Sequence, residues 1–258
     1  MGHIHLSVLP TTRRWNDVVD ALTSDATDEM VVAASARAAE KDLLVATDSA
    51  AFVEAVRLLL AIPHAARADD FGDALRALDL KIGDRPELLD LTMAVDGRLE
   101  AVQRKAGGSN DLGAIAARAL VTTFSDMVGD QLPGLFEATP GEVQAATRKL
   151  SWSRGISELS RAFYARLVAQ SLSYWLDRTL AQHVGPEARF ANATARGSFD
   201  IALSQYTQES TRIIQEFAGG WYGKTLHDKG GISSLDAAAF GAVALKKIVE
   251  ELRTRRAP

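Results

Sequence analysis

Apolar side chains recur at intervals of three and four along most of this chain, the spacing that places them on one side of an α-helix. The longest such stripe joins Ile156, Leu159, Phe163 and Leu167 to Leu172, Trp175, Leu176 and Leu180, and predicts an amphipathic helix over 156–182. Before it, the pattern predicts a helix over 112–132 that ends at Pro133-Gly134. Thr139-Pro140-Gly141-Glu142 then combines a capping box with proline at the first helical position, and the segment 151–155 kinks or interrupts the helix begun there. Beyond Gly185-Pro186 a helix reaches Phe217, with Gly219-Gly220 in the position of its C-cap. The last helix starts at the capping box Ser233-Ser234-Leu235-Asp236 and runs to about Arg253. Its segment 237–245 is apolar on every face and must be buried all round, in the chain's own centre or by a partner.

The N-terminal part is mixed. His3 to Val8 alternates polar and apolar with the period of a half-buried strand that Pro10 ends, and Leu43-Leu44-Val45-Ala46 is a second strand candidate. Asp48 caps the next helix, which carries Phe52, Val56, Leu59 and Leu60. With helices over 15–22 and 28–39 between them, the two strands would make a small α/β unit with a right-handed crossover. Helical patterns continue over 71–78 and 88–103. The run Lys105-Ala106-Gly107-Gly108-Ser109-Asn110 divides the chain, so the expected organisation is a mixed lobe over 1–104, a linker over 105–110 and a helical-bundle lobe over 111–258. The fold class is therefore mainly α, a helical bundle with a small N-terminal α/β element.

Composition removes several chemistries. The chain has 258 residues and no cysteine, which excludes disulfides, thiolate metal sites and cysteine nucleophiles. Its net charge of −4 opposes a global attraction to nucleic acid or anionic lipid. The longest uncharged apolar stretch, 237–245, is too short to span a bilayer, and the run over 56–66 is interrupted by Arg57, Pro63 and His64. The opening MGHIHLSVLPTTRRW shows no targeting pattern, so the expected location is the cytoplasm, with no membrane partner.

Of the candidate sites, Ala218-Gly219-Gly220-Trp221-Tyr222-Gly223-Lys224-Thr225 fits a permissive phosphate-binding-loop pattern. A helix rather than a strand feeds it, so it reads instead as a glycine-rich interhelical turn. His3 and His5 would share one side of a strand, and this HxH pair resembles the opening motif of amidohydrolases and histidinol-phosphatase-type phosphoesterases in that motif only. His5-Leu6-Ser7 similarly resembles one half of the paired signature of two-histidine phosphoesterases, whose second half this chain lacks. The acidic pairs at 28–29, 69–70 and 250–251 are helix starts and solvated faces, and no nucleophile elbow is present.

Arg13 and Arg14 beside Trp15, and Lys246, Lys247, Arg253, Arg255 and Arg256 near the other end, are candidate nucleic-acid contacts if the fold brings them together. Tyr164, Tyr174, Trp175 and Phe240 are the candidate interface anchors. No cofactor is implied, and His3 and His5 are the metal candidates. By subtraction the sequence reads as a non-catalytic interaction or scaffold subunit of a larger cytoplasmic assembly, bound to a protein partner or to its own copies. A nucleic-acid-associated helical factor is the first alternative, and a metal-dependent hydrolase using the HxH pair is the second.

Overall fold

A computed structural model describes residues 10, 12–107, 111–134 and 138–254. Among them the chain forms eleven α-helices: α1 (Arg13–Thr23), α2 (Asp28–Val45), α3 (Ala50–Ala65), α4 (Phe71–Arg76), α5 (Leu88–Lys105), α6 (Asp111–Gly129), α7 (Pro140–Lys149), α8 (Ser153–Leu180), α9 (Ala193–Ser210), α10 (Arg212–Lys229) and α11 (Ser234–Thr254). The described residues are thus mainly helical, and their only pairing of strand type is a single bridge between Val184 and Phe190. The strand candidate from His3 to Val8 lies outside the described residues. The second candidate, Leu43 to Ala46, is the last turn of α2 and the start of a short 3-10 turn (Ala46–Asp48). A run of four apolar residues carries no period of its own, and the helix beginning at Asp28 simply continues through it.

Local signals account for most helix starts. Thr139 accepts from the Glu142 N–H while the Glu142 carboxylate accepts from the Thr139 N–H, so the capping box of α7 is closed in both directions. Ser233 and Asp236 close the corresponding box of α11. At α3 the cap is Ser49, which accepts from the Phe52 N–H; Asp48, the cap expected from the sequence, belongs to the preceding 3-10 turn. The expected helix up to Phe217 is two helices with Thr211 between them. There Ser210 and Thr211 turn their hydroxyls back onto the carbonyls of Tyr206 and Thr207, where they compete with the backbone ladder.

The centre of the molecule is α3, buried along nearly its whole length and packed by α5, α6, α7, α8 and α11. A helix without a wet face belongs in the middle of a bundle. The sequence pattern required α11 to be buried all round, by the chain's own centre or by a partner, and within the chain only one side of it is buried. Phe240, Gly241, Ala244, Leu245 and Ile248 of α11 are buried, whereas Ala239, Ala242 and Val243 are exposed. Gly241 sets the approach of α11 to α3, because a Cβ there would come within 2.7 Å of the Phe52 ring. One hydrophobic cluster runs from Trp15 to Leu252 and joins residues on both sides of Gly107.

The charges of α3 are paired. Glu54, 6% exposed, accepts from Arg57 Nε and Nη2, both at 2.8 Å, and from Arg98 Nε of α5 at 2.7 Å. Arg57 also donates to the Leu78 carbonyl at 2.9 Å, and Arg98 lies 3.2 Å from Asp79, a residue with φ of +65°. Burial alone would raise the Glu54 carboxyl, but hydrogen bonds from the two arginines outweigh it and hold the group below its ordinary value.

Candidate functional site

A cleft of about 400 Å³ opens where the end of α3, the α7–α8 junction and α10 meet. At the junction, α7 stops at Lys149 and α8 begins at Ser153. Gly155 permits so tight a reversal, since a Cβ there would sit 2.5 Å from the Lys149 carbonyl oxygen and 2.7 Å from Leu150 Cα. The N-cap of α8 is Trp152, which offers no side-chain oxygen, and the first turn contains no acidic residue. The positive end of a 28-residue helix therefore reaches the cleft without a side-chain cap.

From the end of α3 comes Arg67. Its Nε donates to Ser151 Oγ at 2.8 Å and its Nη2 to the Ser151 carbonyl, while the guanidinium lies 4.5 Å from the centroid of the Trp152 ring. Trp152 is 61% exposed. No carboxylate among the described residues pairs with Arg67, and none lines the cleft.

α10 supplies the far wall through Gly219, Tyr222, Gly223, Leu226 and His227. It seats directly on the first turn of α8, because Gly219 has no Cβ to meet the Ser153 carbonyl oxygen, which would lie 2.6 Å away. Two polar atoms at this wall, Tyr222 Oη and His64 Nδ1, are buried with no hydrogen-bond partner. Burial lowers the His64 imidazole below its ordinary value and the nearby Arg67 charge adds to this, against a backbone hydrogen bond with Gly230. The ring is therefore neutral at neutral pH. Burial pushes the Tyr222 phenol up to about 12, with the Arg67 charge opposing, so it stays a hydrogen donor. The cleft thus gathers donors and positive potential, an arrangement suited to holding an anion rather than to nucleophilic chemistry.

The motif residues 218–225 are interior to α10, not a turn, so their N–H groups belong to the helix and cannot cradle a phosphate as a loop would. Gly219 serves close helix contact while Gly220 and Gly223 face open space, and the helix ends instead at Gly230 in the left-handed conformation, φ +72°.

The other sequence candidates scatter. Tyr164 and Phe240 are fully buried in the core, their ring centroids 6.3 Å apart. Tyr174 donates its hydroxyl to Asp111, and Trp175 packs on Trp15 at 5.7 Å; Arg178 lies over both rings, at 4.4 Å and 4.2 Å. These contacts fasten α8 to α1 and α6. Of the basic residues, the fold brings Arg14 and Arg253 together, but on a carboxylate, Glu40. The Arg253 hydrogen bond, reinforced by Arg14 against partial burial, keeps the Glu40 carboxyl low. Arg13 and Lys246 are exposed, and Lys247 lies 5.6 Å from the Phe217 ring centroid. His3, His5, Arg255 and Arg256 lie outside the described residues. Among the described residues no group of three His, Asp or Glu side chains could hold a metal ion, and no helix is long and apolar enough to cross a membrane.

Sequence reasoning does not assemble His64, Arg67, Trp152 and Tyr222. The one signal is a helix start at Trp152 lacking the usual capping residue, which reads in isolation as a mere interruption. No protein-family model, curated protein or solved structure matches this chain.

Proposed function

We propose that this protein is a non-catalytic interaction subunit of a larger cytoplasmic assembly, and that it docks a protein partner or a second copy of itself through the solvent face of α11. The observation that carries this reading is the apolar stripe on that face. Leu235 is 84% and Val243 46% exposed, and Ala239 and Ala242, aligned with them at helical spacing, are exposed as well. A helix with apolar residues on its dry face ordinarily turns polar ones to water; here both faces are apolar, and Lys246 and Glu250 supply a polar rim only at one end. A contiguous apolar stripe of this kind marks an interaction surface, whereas scattered apolar residues do not. The reading as a nucleic-acid-associated factor has less to support it, because Arg14 and Arg253 share one carboxylate.

The test is the double substitution Leu235→Glu with Val243→Glu. Neither side chain is in the core, so circular dichroism and thermal stability should be unchanged. Light scattering should show the wild type assembling, alone or with a co-purified protein, and the variant losing that assembly. A wild-type protein that stays monomeric and behaves identically to the variant in both settings would remove the support for this surface.

A further inference from the structure

We propose that the cleft between the end of α3, the start of α8 and α10 is a binding site for a small phosphate-bearing molecule, whose phosphate sits at the N-terminus of α8 beside Arg67 and Tyr222. Four observations converge on one spot. The first is the α8 N-terminus, which has no side-chain cap and no acidic residue in its first turn. An uncapped helix N-terminus presents N–H groups and a positive dipole end to an anion. The second is Arg67, a guanidinium that pairs with no carboxylate among the described residues. Ser151 takes its Nε and Nη2, which fixes the plane of the fork and leaves Nη1 for a ligand.

The third observation is Tyr222, 2% exposed, which lines the cleft and whose hydroxyl finds no acceptor among the described residues. Buried hydroxyls are almost always hydrogen-bonded, so an orphan at the wall of a positive cleft asks for an acceptor from outside the chain. Tyr222, His64 and Arg67 all line the same cleft. The fourth is the absence of any carboxylate from the lining, unlike the arginines of α3 and α5 that share Glu54.

A phosphate suits this set better than a carboxylate does. The donors belong to three separate segments, the start of α8, Arg67 and α10, and a phosphate ester offers three terminal oxygens to them where a carboxylate offers two. Trp152 adds a preference beyond the phosphate. Arg67 lies against its ring, yet the indole remains 61% exposed at the mouth of the cleft, a surface on which the flat organic part of a phosphate ester can stack. This site is independent of the α11 surface, which lies on other residues.

The experiment is calorimetric titration of the full chain, in a phosphate-free buffer, with inorganic phosphate and with phenyl phosphate. Saturable binding of both is expected, with phenyl phosphate the tighter. Arg67→Met should weaken both by about tenfold or more, the range of a lost charge-assisted pair. Tyr222→Phe should also weaken both without lowering the melting temperature of the free protein. Trp152→Ala should weaken phenyl phosphate and spare inorganic phosphate. Lys224→Ala, which removes an exposed cation from the same helix, should change neither. Should Arg67→Met fail to fold, Arg67→Lys, which keeps the charge but loses the fork, should show the same weakening. No saturable binding of either probe, or binding that the Arg67 and Tyr222 variants leave intact, would overturn the proposal. Binding retained in the Leu235→Glu, Val243→Glu variant would separate this result from the fate of the α11 surface.

Discussion

Arg57 and Arg67 stand on and just beyond the same helix, and their surroundings could hardly differ more. Arg57 is enclosed with Glu54, shares that carboxylate with Arg98 and also donates to a backbone carbonyl. Arg67 rests on one serine and one indole and meets no carboxylate among the described residues. The first arrangement is complete within the chain, and its charges hold α3, α5 and the turn after α4 in register. The second uses the protein to orient a guanidinium and leaves its charge uncompensated. A closed ion cluster is a fastening, and the open cation in the cleft is the group on which the proposed phosphate site rests.

The sharpest way to break this contrast is to delete the shared carboxylate. Glu54→Ala strands two arginines around a buried position and should cost about 3–5 kcal/mol, read as a fall in the urea midpoint with an unchanged slope. Arg67→Met loses only partly exposed contacts and should cost about 1 kcal/mol or less. Equal losses would mean that both arginines are structural.

Next in size is the seating of α10, which forms the far wall of the cleft. In Gly219→Ala the new methyl meets the backbone oxygen of Ser153, which cannot step aside, and a loss of about 1–3 kcal/mol is expected. Gly220→Ala faces open space within a helix and should instead stabilise by up to about 1 kcal/mol. Thermal melts of the two variants should therefore move in opposite directions.

The two regions should also separate by pH. His64 is depressed below its ordinary 6.5, so the unfolded chain takes up the proton first and stability falls as the pH drops below that value. Glu54 is depressed below its ordinary 4.5, so its contribution is present in full above that value and is lost only as the pH falls through the lower folded one. Denaturation between about pH 7 and pH 4 should show the first loss disappear in His64→Gln, and the second, at still lower pH, disappear in Glu54→Gln. The smallest expected effect is that of Tyr222→Phe on stability. Removing an unsatisfied buried hydroxyl should leave the free protein unchanged or slightly more stable.

What could be read from the sequence was what neighbours in the chain decide. The boxes at Thr139 and Ser233 and the stripe from Ile156 to Leu180 are local patterns, and each marks a real helix. The glycines at 219 and 220 misled because a glycine can mark a helix stop or a close crossing: Gly219 lies at a crossing with Ser153, and Gly220 is an exposed position inside the helix. Burial on all sides fell to α3 rather than to α11 for a related reason. Arg57, which interrupts α3 in the sequence, pairs with Glu54 one turn back on the same helix, and what the sequence does not show is that Arg98 of α5 completes the cluster and the neighbouring helices enclose it. The cleft drew its groups from three distant stretches, around residues 64–67, 151–153 and 219–230, none of which carries a recognisable motif alone.

One contact bears on time rather than on strength. Arg189, in the loop before α9, donates to the carbonyls of Ala21, Ser24 and Ala26 at 3.3, 3.4 and 2.6 Å and to Asp28 at 2.8 Å. A single guanidinium thus seals the corner between α1 and α2 from the far half of the sequence. Contacts between residues so far apart in sequence carry a loop-closure cost that local contacts do not, and this one is therefore expected to form after the folding barrier. Its loss should then leave the refolding rate nearly untouched and quicken unfolding, so that Arg189 sets how long the native state lasts more than how fast it is reached.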